Sequence, residues 1–127
     1  MKLIHGKTPV QFDLLVARKY KHKEQDAHSR NLSFTLTFAQ FRHLFTRKNC
    51  GYTGIPMTVS LNVVQPETDL TVERIDNTKG YELGNVIAVC KAANALKAVL
   101  EDPRLLLSVE DGVKMFAKIG ELNKKQK

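Results

Sequence analysis

The stretch "LTVERIDNTKGYELGNVIAVCKAANALK", Leu70 to Lys97, decides how the fold is interpreted. Its first part, through Asp76, predicts a strand because it combines β-branched and apolar residues. The part that follows, "NTKGYELGN", is typical of a loop, since Gly80 and Gly84 tolerate backbone angles that other residues resist. A helix is predicted from Val86 to the proline of "EDP", with one face made of Val86, Val89, Cys90, Ala93, Leu96, Lys97 and Leu100.

Two helices are predicted before this stretch. The segment from Pro9 to His28 has apolar residues at helical spacing and a basic outer end; its apolar positions are Val10, Leu14, Leu15 and Ala17, with Phe12 nearby. Thr37 and Gln40 form a capping-box pattern, which predicts a short helix from Phe38 to Arg47. The intervening "SRNLSFTL" fits either a half-buried strand or an extended connector.

Two further elements flank the central stretch. "NCGYTGIPMTVSL" offers Gly51 and Gly54 as turn residues, which predicts a tight knuckle or hairpin. Ser108 and Asp111 predict the cap of a last amphipathic helix with apolar positions Val109, Val113, Phe116 and Ile119.

The composition is that of a globular protein with a basic first half. Of the 127 residues, 43% are apolar and 26% are charged, and the formal net charge is +7. Residues 1–60 carry 10 Lys and Arg against 3 Asp and Glu, whereas residues 61–127 carry 10 against 10. A concentrated positive charge favours polyanionic partners, so nucleic acid, DNA or RNA, is the leading expectation and an acidic protein is the second. No apolar run is long enough for a membrane span, and we expect a cytoplasmic protein that contacts no membrane.

The order of knuckle, strand, loop and helix resembles the HNH family of endonucleases, also called the His-Me finger or ββα-metal group, and especially its small phage-type members. The motifs that carry the resemblance are "CGYTG" at 50–54, "ERID" at 73–76, "GYELGNV" at 80–86 and "CKAANALK" at 90–97. The resemblance implies one α+β domain, with a basic helical extension at 1–48, an HNH-like ββα core at 49–101 and a C-terminal helix at 102–127.

The resemblance also implies a site for one divalent metal ion, Mg²⁺ or Mn²⁺. Glu73 matches the acidic ligand of the family, Asn94 the helix ligand and Asn85 the loop asparagine that orients the general base. Lys97 follows Asn94 on the same predicted helix, where it would meet a phosphate. From the residues alone, Asn85 is equally suited to cap the following helix, and Glu73 and Arg74 to form an exposed charged pair.

The main departure from the family is Arg74, which occupies the position of the general-base histidine. A guanidinium stays protonated at physiological pH and cannot accept a proton, so we expect Arg74 to clamp a phosphate. Three routes to catalysis stay open: His43 as the base, assistance from Tyr81 or Asp76, or attack by a metal-bound hydroxide without a protein base. For His43, an ordinary helix histidine is the simpler interpretation.

A second departure concerns the cysteines. Many relatives hold a structural zinc ion with two Cys-x-x-Cys knuckles, but here Cys50 is followed by Thr53 and Cys90 by Ala93. A four-thiolate site is therefore excluded, and no structural zinc is expected. We expect Cys50 and Cys90 to lie close together as small buried groups.

The leading functional hypothesis is a DNA-binding, metal-dependent endonuclease that nicks its substrate, acting in the cytoplasm of a bacterial host if phage-encoded. The competing hypothesis is a non-catalytic HNH-like scaffold that binds nucleic acid or inhibits a host protein that handles it. In either case the expected nucleic-acid-binding residues are Arg74, Lys97, Lys79, Lys19, Lys21, Lys23, Arg47 and Lys48.

Overall fold

A computed structural model describes residues 2–61 and 64–125, which form two compact units. The first unit ends at Asn94 and the second begins at Ala95. The elements in chain order are α1 (Pro9–Ser29), α2 (Phe38–Phe45), β1 (Leu70–Arg74), β2 (Val86–Cys90), α3 (Lys91–Leu100) and α4 (Val109–Lys125). The predicted α+β class is confirmed. No helix formed by the described residues is both long enough and apolar enough to span a membrane.

β1 and β2 form a two-stranded antiparallel sheet. Leu70 lies opposite Cys90, and Arg74 lies opposite Val86. The prediction of a helix from Val86 is therefore wrong, because the helix begins at Lys91. The run "VIAVC" is dominated by β-branched and small residues, and pairing with β1 satisfies its backbone groups, which outweighs the helical spacing of its apolar positions.

α1 is confirmed as a helix, and of the apolar positions named from its sequence only Leu15 and the nearby Phe12 are buried. Val10 and Leu14 are 70% and 65% exposed, whereas Phe12, Leu15 and Val16 are buried. Apolar residues occur on two sides of this helix, and the side with Phe12 packs against α2. Arg42 on α2 donates to Asp13 at 2.6 Å and places its guanidinium over the ring of Phe12.

α2 and its capping box are confirmed, with the helix ending at Phe45. The segment before it is the extended connector rather than a strand, with a single bridge from Phe34 to Tyr81. Tyr20 of α1 joins this region to the core, since its hydroxyl donates to the carbonyl of Leu36 at 2.7 Å. Its ring meets those of Phe34, Phe38 and Phe41 edge-on.

In the second unit, the predicted cap of α4 is confirmed. The nitrogen of Ser108 donates to the Asp111 carboxylate and the nitrogen of Asp111 donates to the Ser108 hydroxyl, both at 3.1 Å. Gly112 of α4 lies against Leu100, whose Cδ2 atom is 2.9 Å from where a Cβ at Gly112 would stand. The predicted apolar positions Val109, Val113, Phe116 and Ile119 are exposed.

Candidate metal and nucleic-acid site

Glu73 lies on the less buried face of β1. The strand alternates, with Leu70, Val72 and Arg74 buried and Glu73 half-buried on the opposite face. Its cross-strand partner is Ile87, which also lies against the knuckle, since a Cβ at Gly51 would stand 2.6 Å from the Ile87 Cδ1 atom. Glu73, Ile87 and Gly51 therefore lie side by side, in that order, on one face of the sheet. The Glu73 carboxylate accepts the backbone N–H of Arg74 at 3.2 Å.

Arg74 points into the protein and binds the loop that follows its own strand. It is 6% exposed, and its Nη1 atom donates to the carbonyls of Asn77 at 2.8 Å and Lys79 at 2.9 Å. Its guanidinium lies over the ring of Tyr81 at 5.5 Å. Among the described residues, the Nε atom has no hydrogen-bond partner. The side chain thus holds the loop by charge-assisted hydrogen bonds, a structural role that the sequence pattern did not indicate.

Asn85 closes the same loop from its other end. It is 6% exposed, its Nδ2 atom donates to the carbonyls of Asp76 and Gly80, and its Oδ1 atom accepts the backbone N–H of Asp76. The interpretation of Asn85 as a helix N-cap is wrong, because a strand follows it. Asp76 in turn accepts both the backbone N–H and the hydroxyl of Thr78. These hydrogen bonds therefore fix the backbone conformation of the loop.

Tyr81 fixes this loop to the connector before α2. Its nitrogen donates to the carbonyl of Ser33, and its carbonyl accepts the nitrogen of Thr35, both at 2.9 Å. Gly80 permits the close approach, because a Cβ there would stand 2.5 Å from the Ser33 carbonyl oxygen. The tyrosine ring is buried, and Lys23 of α1 lies over it at 5.5 Å.

Asn94 lies in the first turn of α3 and is half-buried. Its side-chain oxygen, like the carboxylate of Glu73, is a donor of the kind that Mg²⁺ and Mn²⁺ accept. Within residues 2–61 and 64–125, no group of three or more His, Cys, Asp and Glu side chains is placed to hold a metal ion. An ion held by Glu73 and Asn94 alone would therefore retain several waters.

His43 and Lys97, which were predicted as a base and as a phosphate contact, lie in different settings. His43 is exposed on α2, so its imidazole is open to solvent. Lys97 lies on the part of α3 that belongs to the second unit, where its ammonium forms an ion pair with Glu101 at 2.5 Å. That ion pair partly neutralises the charge that the sequence interpretation assigned to a phosphate.

Cys50 and Cys90 are both buried free thiols, and they lie together as expected. The backbone nitrogen of Cys90 donates to the Cys50 sulfur at 3.3 Å. The knuckle is confirmed, since the Cys50 nitrogen donates to the Ile55 carbonyl and the Cys50 carbonyl accepts the Gly54 nitrogen. Burial raises the pKa of the Cys50 thiol, but hydrogen bonds from the Thr53 hydroxyl and from backbone N–H groups lower it, and the resulting pKa is about 6.

The remaining predicted nucleic-acid-binding residues are distributed over three segments of the first unit. Lys19, Lys21 and Lys23 lie on α1, Arg47 and Lys48 follow α2, and Lys79 lies in the loop after β1. Four of these side chains are exposed, whereas Lys19 and Lys23 are half-buried.

Two features of the first unit were missed by the sequence analysis. Asp69 is 2% exposed, and its carboxylate accepts the hydroxyls of Thr58 and Ser60. Arg18, His22 and Lys91 line an open cavity together with Lys19. A buried Asp directly before a strand is not distinguishable from a loop residue by pattern, and the cavity joins segments that are far apart in the chain.

Comparison with known proteins identifies viral relatives. The chain is 32% identical over 117 residues to an uncharacterized 29.0 kDa protein of Enterobacteria phage T4 from the dda-modA intergenic region, a match that covers 88% of this chain and 46% of that protein. It is 28% identical over 96 residues to an uncharacterized protein of Acanthamoeba polyphaga mimivirus, covering 76% of this chain and 16% of that protein. Both relatives are viral proteins. The chain spans less than half the length of each. No protein-family model and no solved structure matches it.

Proposed function

We propose that this protein binds DNA on an HNH-like ββα scaffold and hydrolyses phosphodiester bonds with one divalent metal ion. The observation that carries the proposal is the order β1, loop, β2, α3, in which a carboxylate, Glu73, lies on the less buried face of β1 and an amide, Asn94, lies in the first turn of α3. The viral relatives are consistent with the phage-type resemblance of the sequence.

Glu73 and Asn94 would hold the ion. When bound, Mg²⁺ or Mn²⁺ offsets the negative charge that develops on a scissile phosphate. Asn85 acts as a positioning residue, because its amide fixes the backbone of the loop between the strands. Arg74 shares this function through its bonds to the carbonyls of Asn77 and Lys79.

Few side chains are candidates for the group that accepts a proton from the attacking water. Arg74 is excluded by its chemistry. Tyr81 is buried in contact with Arg74 and Lys23, which disfavours it as a base that must reach a water molecule. We therefore propose that the imidazole of His43, which is exposed, or solvent itself accepts the proton.

DNA binding in this proposal rests on the basic first half of the chain. The α1 lysines, together with Arg47, Lys48 and Lys79, present positive charge on the unit that contains Glu73 and Asn94. Phosphate contacts from such residues position the duplex without reading its sequence.

Nicking of supercoiled plasmid in the presence of Mg²⁺ or Mn²⁺ tests the proposal. We expect cleavage by the wild-type protein and a loss of about 10- to 100-fold or more in Glu73→Gln and Asn94→Ala. Glu67→Gln and Asn77→Ala change an exposed carboxylate and an exposed amide in the same unit and serve as matched controls, with activity close to wild type. Absence of cleavage by the wild-type protein with either ion would remove the hydrolytic part of the proposal.

A second candidate function is favoured by the environment of Arg74. Its side chain is buried and bound to loop carbonyls, as expected for a scaffold that binds nucleic acid, or a protein that handles it, without cutting. Gel shifts with matched DNA and RNA at several salt concentrations, combined with the plasmid assay, separate binding from hydrolysis. Arg74→His adds a direct test, since a large gain of cleavage in that variant would show that the rest of the site is intact.

A further inference from the structure

An open cavity of about 560 Å³ lies in the first unit, between α1 and the start of α3. α1 contributes Arg18, Lys19 and His22, and α3 contributes Lys91. The rest of the lining is neutral: Leu61, Val64 and Gln65. Four nitrogen-bearing side chains from two helices therefore surround one concave space, and no carboxylate is among the described residues that line it.

The start of α3 is held against the segment before β1 by hydrogen bonds from Lys91. The nitrogen of Lys91 donates to the Asp69 carbonyl at 2.8 Å, and the Lys91 ammonium reaches the carbonyl of Gln65 at 3.4 Å. The carboxylate of Asp69 is turned to the hydroxyls of Thr58 and Ser60. The buried carboxylate of Asp69 is thus already satisfied by hydrogen bonds from two neutral hydroxyl groups.

Lys19 is half-buried in the lining of this cavity. Burial lowers the pKa of its ammonium; Asp69 acts in the opposite direction, and Lys23 lowers the pKa further. Among the described residues, none forms an ion pair or a side-chain hydrogen bond with Arg18, Lys19 or His22. A half-buried ammonium without an ion-pair partner is stabilised by an anion that enters the cavity.

We propose that this cavity is a phosphate-binding subsite formed by Arg18, Lys19, His22 and Lys91. One source of the phosphate is the diester backbone of bound DNA, and for this source the inference rests on the proposed nucleic-acid function. A free phosphate or pyrophosphate carries the same chemistry and is the other source. Arg18 supplies a planar donor fork and the two lysines supply compact charges, a combination suited to phosphoryl oxygens.

Two measurements test the subsite. In the first, the affinity for a short labelled DNA duplex is measured by fluorescence anisotropy at several salt concentrations. Lys19→Ala combined with Lys91→Ala is expected to lower the slope of log K against log salt by about 1, the value for one lost phosphate contact. Lys114→Ala combined with Lys118→Ala removes the same charge from α4 and leaves the slope unchanged. Arg18→Ala combined with His22→Ala alters exposed positions of the cavity and guards against misfolding of the first variant.

In the second measurement, pyrophosphate is titrated into the protein without DNA and amide shifts are followed by NMR. Saturable shifts at residues 18–22 and at Lys91 that vanish in the Lys19→Ala and Lys91→Ala double variant support the subsite, even if the protein binds no DNA. A lowered salt slope without pyrophosphate binding supports it as a subsite for backbone phosphate alone. DNA binding with an unchanged slope, together with no pyrophosphate shifts, would overturn the subsite and leave the proposed function standing.

Discussion

The side chain of Asn85 binds the backbone of Asp76 twice: its Oδ1 atom accepts the Asp76 N–H at 2.9 Å and its Nδ2 atom donates to the Asp76 carbonyl at 3.1 Å. A third bond, to the Gly80 carbonyl at 2.9 Å, spans the loop between β1 and β2. One buried amide thus uses its acceptor and both donors on main-chain groups.

Asn85→Ala leaves these loop groups without their partner inside the protein. Each unsatisfied buried polar group costs about 1–3 kcal/mol, so we expect the free energy of unfolding to fall by about 2–4 kcal/mol. Urea unfolding followed by circular dichroism measures the change. Asn77→Ala alters an exposed amide in the same loop and should stay within about 0.5 kcal/mol of wild type. Equal effects of the two substitutions would contradict the assigned role of Asn85.

Gly80→Ala tests the contact between the loop and the connector. The added methyl group would stand 2.5 Å from the Ser33 carbonyl oxygen, and relief requires the backbone to move. We expect a loss of about 1–3 kcal/mol in the free energy of unfolding. The control is Gly120→Ala in α4, where the new Cβ would have no described atom within 4 Å apart from its chain neighbours and the backbone of its own helix. Its expected effect is a gain of up to about 1 kcal/mol, because alanine favours helix. A neutral Gly80→Ala would show that the two segments separate readily.

Arg74→Met removes two charge-assisted bonds from the loop while retaining an unbranched apolar side chain. Such bonds contribute about 1.5–3 kcal/mol each, and we expect the variant to lose about 2–4 kcal/mol on urea unfolding. Arg104→Met is the control, since Arg104 is 89% exposed and its pair with Asp102 is open to water. If Arg74→Met unfolded like wild type and bound DNA less tightly, Arg74 would be a phosphate contact after all.

The low pKa of Cys50 makes stability depend on pH. Its folded value of about 6 lies below its ordinary value of 9.0, so the thiolate stabilises the fold above pH 9 and this stabilisation is lost as the pH falls to about 6. Thr53→Val removes the largest of the interactions that lower the pKa, and should raise the pKa and flatten this dependence. The titration of Cys50 is followed by thiolate absorbance from alkaline to mildly acid pH, in a Cys90→Ala background. A midpoint that Thr53→Val fails to raise would contradict the assigned cause.

Capping patterns and turn glycines were sufficient to predict where α2, α4 and the knuckle lie, and the spacing of apolar residues predicted α1. Each depends on local interactions, such as the hydroxyl of Thr37 accepting the nitrogen of Gln40. The identity of β2 was not predictable in this way. The residues from Val86 to Cys90 fit helical spacing as well as a strand, and pairing with β1 decided between them.

The environments of the proposed site residues were not predictable from the sequence. Glu73 lies on the less buried face of β1. Arg74, its neighbour in sequence, points to the opposite face because side chains alternate along a strand, and there it meets the carbonyls of Asn77 and Lys79. Whether a charged side chain faces solvent or the loop depends on tertiary packing, which a single sequence does not specify.

β2 passes into α3 without an intervening residue, and the bonding to the segment before β1 continues into the helix, with the nitrogens of Lys91 and Ala92 donating to the carbonyls of Asp69 and Glu67. The hydrogen bonds at this junction therefore fix the start of α3 relative to the sheet. A one-residue insertion in β2 would either invert the strand or turn every α3 side chain by about 100°. A change of length at this junction would therefore disrupt the packing of either β2 or α3.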